Sequence, residues 1–423
     1  MPGIAGVVYH CEVMADSSPA ALGSAAAYVE PAEQVRPNAK LIGLLALGHL
    51  VIDVNQGSLP AVLPFLKSAH GLSYAEAGAI VLAANVTSSI IQPLFGYLSD
   101  RTARRWLLPL SVFVSGVGLG LTGVAPGYGA LLALVVIMGL GVAAYHPEGY
   151  KTAASVAGDR KATGLSWFSL GGNIGIALGP PAITMLVTGL GIAGSLGMIA
   201  PSVVVAAVLC SVLPVLSRAA ASAAPAARRS ETAGANMPGA MALLILVVTI
   251  RSWTQLGFTT FVPFYYVDHL QADPRLVGPL LFVFLGAGAL GTVVAGPLAD
   301  RWGARPFMTW VLLAATPLGA LFMLTSGGPL AFLALGLFGA VLVSTFTVSV
   351  VLGQAYLPRN AGMASGLIVG FAIGSGGLGV TLLGWMADRW GLPTVLWISA
   401  LLPLAGFLLA LGLPAPRRRE AGA

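Results

Sequence analysis

Gly96-Tyr-Leu-Ser-Asp100-Arg101, followed by Arg104 and Arg105, returns further along the chain as Gly296-Pro-Leu-Ala-Asp300-Arg301-Trp-Gly303-Ala-Arg305. The spacing is the same in both copies. A glycine permits close helix contact, an aspartate sits at a helix end, and the arginines reach back to one membrane face. Either string alone reads equally well as a charged helix end. The matched pair reads as a chain built twice, because each copy follows the second apolar segment of a set of six. A third string, Gly384-Trp-Met-Ala-Asp388-Arg389-Trp-Gly391, falls toward the other face, has no counterpart after the fifth segment, and receives little weight.

Outward from these strings the chain is lipid-soluble. Its 423 residues are 57% hydrophobic and 9% charged, with a mean hydropathy of +0.88; a soluble domain carries about 25% charged residues. No soluble fold of this size hides so much apolar surface, so lipid is the solvent. The 55 glycines and 28 prolines suit membrane helices, which use Gly for close packing and tolerate Pro. The net charge of +6 is scattered over short loops, which excludes a nucleic-acid surface. Cys11 and Cys210 lie far apart and form no disulfide framework. No metal-ligand spacing, nucleophile triad or phosphate loop is visible, so no metal, no cofactor and no enzyme is expected.

About twenty apolar residues cross a bilayer as a helix. Twelve segments qualify, near 41–66, 73–98, 106–126, 128–156, 163–189, 194–217, 239–267, 276–299, 306–326, 328–356, 363–387 and 393–413. The fold class is all-α integral membrane, with two pseudo-symmetric six-helix bundles. Residues 1–39 read as a disordered cytoplasmic tail, 40–217 as the first bundle and 218–238 as a cytoplasmic linker. Residues 239–414 form the second bundle and 415–423 a basic tail. With the N-terminus inside, 17 of the 21 Lys and Arg fall on the inner side; only Lys67, Arg275 and Arg389 fall outside, and Arg251 lies within a span. That bias expects both termini in the cytoplasm.

Polar groups inside the spans mark function, because each is costly there. His49, Asp53 and Gln56 share one stripe of the first span. A carboxylate held away from water is a natural proton carrier, and His49 one turn away can share the proton; the competing reading is a purely structural pair. On the fourth span Pro147 removes a backbone donor and should kink the helix. Beside it, Glu148 reads as a proton or substrate ligand and His146 as a switchable donor, with Lys151 three residues on; an interfacial Glu148–Lys151 pair is the alternative. On the seventh span Arg251 cannot shed its charge and needs an anion, either substrate or Asp53 across the cavity. Asn85 and Gln255 add weaker polar candidates, as does Asn173 on the fifth span, where Gly171, Gly175 and Gly179 form a smooth stripe ending in Pro180.

The paired strings resemble the cytoplasmic loop motif of the major facilitator superfamily. That resemblance makes Asp100, Arg101, Arg105, Asp300, Arg301 and Arg305 gating and structural residues. Gly175, Gly179 and Pro180 resemble the fifth-helix motif of superfamily antiporters. A narrower match follows. His49-x-x-x-Asp53-x-x-x-Gly57-x-x-Pro60-x-x-Leu63-Pro64, Asn85-Val-Thr87-Ser88-Ser89, His146-Pro147-Glu148-Gly149 and Gly171-Gly172-Asn173 resemble the fosmidomycin-resistance family, with Arg251-Ser252-Trp253 carrying it into the second half. The family implies a proton-driven inner-membrane exporter of fosmidomycin, a phosphonate. From the residues themselves, Asp53, His49 and Glu148 are expected to couple protons, and Arg251, His146, Gln56, Asn85, Gln255, Asn173 and Lys151 to bind substrate. A monomer is expected. The alternative function is a proton-coupled importer of a small organic anion; a further one is a membrane receptor on a silent transporter fold.

Overall fold

The structure is a computed structural model that describes residues 38–101, 104–158, 161–221 and 235–416. Most of the expected N-terminal tail, most of the linker and the last seven residues lie outside it, as do the side chains of Asp100 and Arg101. Among the described residues there are helices and no strands.

Twelve helical segments are long and apolar enough to cross a membrane. In the first half they are α1 (Ala39–His70), α2 (Tyr74–Leu98), α3 (Leu107–Val124), α4 (Tyr128–Val156), α5 (Gly164–Leu190) and α6 (Ile192–Arg218). In the second half they are α7 (Pro238–His269), α8 (Pro274–Trp302), α9 (Ala304–Thr325), α10 (Pro329–Tyr356), α11 (Met363–Trp390) and α12 (Leu392–Leu411). Local chemistry sets the ends. Asn38 caps α1 by accepting from the Leu41 amide, and Gly71 closes it in the left-handed region at φ 64°. Ser73 and Glu76 form a reciprocal capping box at the start of α2, a device worth about 1 kcal/mol. The helical hydrogen bonding slips to a wider π pattern at Val86–Ile90 in α2, Tyr265–His269 in α7 and Leu367–Ile373 in α11.

The internal repeat is visible in hydrogen bonds as well as in sequence. The Asn38 amide donates to Val156 O at 2.9 Å, and the Met237 amide donates to Tyr356 O at 2.7 Å. Each bond ties the entry of a half to the end of its fourth helix. Arg105 Nη1 donates to Ser217 O at 3.1 Å, and Arg305 Nη2 donates to Leu411 O at 3.2 Å. In both halves the last arginine of the repeated string therefore sits at the C-terminal end of the sixth helix. A cation there also meets the negative pole of the helix, worth about 0.3–1 kcal/mol at an exposed site.

The closest helix approaches are not repeated. In the first half α5 lies on α1: a Cβ added to Gly171, Gly175 or Gly179 would overlap the carbonyls of Ala46, Leu50 or Val54, one per turn. In the second half the close pair is α8 with α10, where Gly291 meets the Ala340 carbonyl and Gly339 the Phe284 carbonyl. The glycine stripe read from α5 is thus an approach surface for the helix that carries His49 and Asp53.

Candidate functional site

Three titratable side chains meet between α1, α4 and α5. His49 Nε2 is 3.3 Å from Asp53 Oδ2, and His146 Nε2 is 3.5 Å from Asp53 Oδ1. His49 and Asp53 are buried, whereas 15% of the His146 side chain is exposed. The outer nitrogens of both rings are anchored: His49 Nδ1 donates to Phe168 O at 2.9 Å and His146 Nδ1 to Val142 O at 2.8 Å. A carbonyl only accepts, so each Nδ1 carries the hydrogen and each Nε2 is aimed at the carboxylate. The Phe168 ring stacks on His49 at 4.3 Å, and Tyr145 Oη donates to Leu45 O one turn before His49. Gly172 supplies the remaining room. A Cβ there would stand 2.5 Å from His49 Nε2 and 2.6 Å from Asp53 Oδ2.

The cluster differs from the stripe read along α1. Gln56 is only partly buried and has no part in it, and the third member comes from α4. His146, assigned from sequence to substrate, faces Asp53 instead. Glu148 is buried, Lys151 and Asn173 are exposed, and Asn85 returns its amide to Val81 O within its own helix. Gln255 is partly buried and Asp300 is exposed. Sequence spacing showed no metal-ligand set because the three groups come from two distant spans. The fold assembles one, with the candidate ligand atoms all within 4.8 Å of one another.

Arg251 is buried in the second half, with 4% of its surface exposed. Nε donates to Thr345 Oγ1 at 3.1 Å and to Leu342 O at 3.3 Å, and Nη2 donates to Val343 O at 3.4 Å. All three partners lie on α10 and none is charged. The expected approach to Asp53 is not made: among the described residues neither group has the other as an ion-pair partner. With Arg251, the residues Val247, Val248, Met308, Leu312, Thr345 and Ser349 line one small, mostly apolar space.

A further polar constellation joins the halves at one end of the spans. Asp388, near the end of α11, accepts from the backbone amides of Tyr74 at 2.8 Å and Ala75 at 2.9 Å. These are the first two helical amides of α2, and Ser73 already serves the third. Beside them Lys67 pairs with Asp268 at 3.2 Å, and Tyr74 Oη donates to the same carboxylate at 2.9 Å. Gly78 and Gly384 bring α2 and α11 backbone to backbone, and Gly278 of α8 abuts Pro180 and Pro181 of α5. Toward the opposite end the same four helices expose Leu94, Tyr97, Trp167, Leu290, Val293 and Met363. The halves are therefore latched at the Lys67–Asp388 end and carry exposed apolar side chains at the other. The string at 384–391, given little weight from sequence, supplies the latch; its likeness to the two loop strings was the available signal.

Twelve apolar helices in two matching sets, with buried charges at their centres, have a counterpart among known families. The Major Facilitator Superfamily model matches residues 45–377, and again 244–423. The chain belongs to the major facilitator superfamily. This superfamily chain is 32% identical, over 92% of its length and 95% of the relative's, to a Bacillus subtilis (strain 168) protein described as an uncharacterized MFS-type transporter, YfnC. It is 30% identical to the fosmidomycin resistance protein of Escherichia coli (strain K12), over 92% of its own length and 96% of the relative's. Among solved structures, a bacterial homolog of the human lysosomal transporter Spinster, inward-facing and unoccupied, aligns with a TM-score of 0.72 at 15% identity. That alignment covers 90% of this chain and 98% of the other. At that identity the likeness establishes the fold alone. The protein is a multi-pass membrane transporter that resembles the fosmidomycin-resistance family.

Proposed function

We propose that this transporter is a proton-coupled exporter of small anionic or amphipathic compounds, phosphonates such as fosmidomycin among them, working by alternating access. The observation that carries the reading is the buried His49–Asp53–His146 cluster in a chain 30% identical to a fosmidomycin resistance protein. With both Nδ1 atoms committed to carbonyls, each neutral ring turns a lone pair toward a carboxylate. A proton on either Nε2 converts that contact into a charge-assisted hydrogen bond. Loading and releasing this proton changes the charge of the first half, which is what coupling needs. Glu148 is a second acid in the same helix as His146.

Arg251 gives the second half a fixed positive charge with no carboxylate in contact among the described residues. It favours anions in the space between the halves. It is buried and bonded to α10, so direct contact with substrate belongs to a rearranged state. The Lys and Arg bias supports an orientation with the latched end outside and both termini in the cytoplasm of a bacterial inner membrane. In that orientation the latched conformation is inward-open. A single chain supplies both halves and acts as a monomer.

Proteoliposomes holding the full chain test direction and coupling together. Fosmidomycin flux should follow an imposed pH gradient, with protons and drug moving oppositely. Co-directional movement would make the protein an importer of organic anions, and flux indifferent to the gradient would remove proton coupling.

A further inference from the structure

We infer that His49, Asp53 and His146 form a binding site for a first-row divalent cation of the zinc or cobalt(II) class. The site stands on geometry and needs no part of the transport reading.

A tetrahedral zinc ion with bonds of about 2.0–2.2 Å holds its ligand atoms about 3.4 Å apart. The separation between His49 Nε2 and Asp53 Oδ2 already matches at 3.3 Å; His146 Nε2 is 3.5 Å from the other carboxylate oxygen, Oδ1, and one ligand atom from each residue keeps all three within 4.8 Å of one another. The outer shell is built as well. Metal-ligating histidines almost always donate their other ring N–H to a carbonyl, carboxylate or water, which fixes the tautomer and aims the lone pair. His49 does this through Phe168 O and His146 through Val142 O. An independent sign comes from the carboxylate: Asp53 Oδ1 is buried and has no hydrogen-bond partner. It faces His146 Nε2 at 3.5 Å, and a cation held between the two groups would satisfy it. Two imidazoles with a single carboxylate suit zinc, cobalt and their neighbours, whereas magnesium and calcium want oxygen donors throughout. Three protein ligands leave a fourth position open. The partly exposed His146 offers the way in, since His49 and Asp53 are closed off.

The chain has five histidines, so the assignment is tractable. His10 is outside the described residues, and His70 and His269 stand at helix ends away from the cluster. The test uses the full chain in detergent, titrated with Co2+ alone and followed by visible ligand-field absorption. One Co2+ per chain with a tetrahedral-type spectrum is expected, displaced by Zn2+. His146→Gln and Asp53→Asn should each weaken binding by more than the roughly 10–100-fold lost when only an outer partner of a ligand is removed. A His70→Gln, His269→Gln double variant should bind as the parent does.

Melting curves without metal establish that each variant is folded. Should a cluster variant not fold, Zn2+ protection of His49 and His146 in the parent against diethylpyrocarbonate replaces it, read residue by residue by mass spectrometry. An unchanged spectrum in either cluster variant overturns the site. So does a spectrum lost with His70 and His269, the absence of a tetrahedral band, or no protection by Zn2+. Metal binding in a protein whose flux ignores pH would sink proton coupling alone. Proton-driven flux that depends on Asp53 without metal binding would sink this site alone.

Discussion

At the centre of the first half, Asp53 stands between two imidazoles that are themselves tethered to carbonyls. Near the same depth of the second half, Arg251 rests on Thr345 and two carbonyls of α10. The first helices of the two halves, Ala39–His70 and Pro238–His269, are equally long, so the position that repeats Asp53 is Ser252. Its buried hydroxyl has no charge to move. The two halves share entry bonds, loop arginines and helix order, yet one centre is a cluster of titratable groups and the other a permanent cation. Duplication kept the frame while the sites diverged. On the proposed function, coupling takes a simple electrostatic form: a variable charge in one half, a fixed charge in the other, and an anionic substrate between them.

The largest test of that division is Asp53→Asn. The amide keeps the shape and loses the charge, so gradient-driven flux should fall to background while substrate affinity stays within about threefold, well under 1 kcal/mol. Paired flux and binding measurements on one preparation check this. Retained flux would move the variable charge to Glu148.

A smaller effect is expected at Arg251. Arg251→Ala should weaken anionic substrate binding by about ten- to a hundredfold, matching the roughly 1.5–3 kcal/mol of a charge-assisted bond. Arg251→Lys sharpens the comparison. If the charge acts through the space between the halves, lysine preserves most of the affinity; if the planar fork grips an oxyanion, lysine loses nearly as much as alanine. A variant that melts early but binds anions normally would reduce Arg251 to a brace between α7 and α10.

The smallest expected change is at the latch. Asp388→Asn leaves one acceptor for two helical amides and removes a charge from the positive end of α2, worth about 1 kcal/mol or roughly fivefold in the equilibrium between conformers. Spin labels at Ser68→Cys and Thr394→Cys, in a background lacking Cys11 and Cys210, should show the separated population rise by that factor. An unaltered distance distribution would mean that the latch is held by Lys67, Asp268 and the backbone contacts of Gly78 and Gly384.

Hydropathy made the twelve spans legible, because lipid imposes one rule on every segment. The repeated loop strings exposed the two halves for the same reason: identical demands at identical places leave identical residues. Two of the three cluster residues were legible too, since His49 and Asp53 are one helical turn apart. His146 was visible only as a costly residue on another span, and its partner is set by how α4 and α5 pack against α1. The Arg251–Asp53 approach was inferred from symmetry, and it fails because α10 supplies neutral oxygens closer to the guanidinium. The first-half stripe of glycines was read as packing, and the carbonyls it meets identify the helix it packs against.

One of those glycines has a consequence for descent. Gly172 borders the stripe and the cluster at once, and any side chain there would occupy the space of His49 and Asp53. Position 172 is therefore tied to 49 and 53 by space: a side chain there requires the cluster to shift or go. A lineage that abandons the carboxylate is free to fill 172 afterwards, and once it has done so the carboxylate cannot simply return. Among descendants of this chain, an alanine at 172 would be a fossil of a cluster already given up.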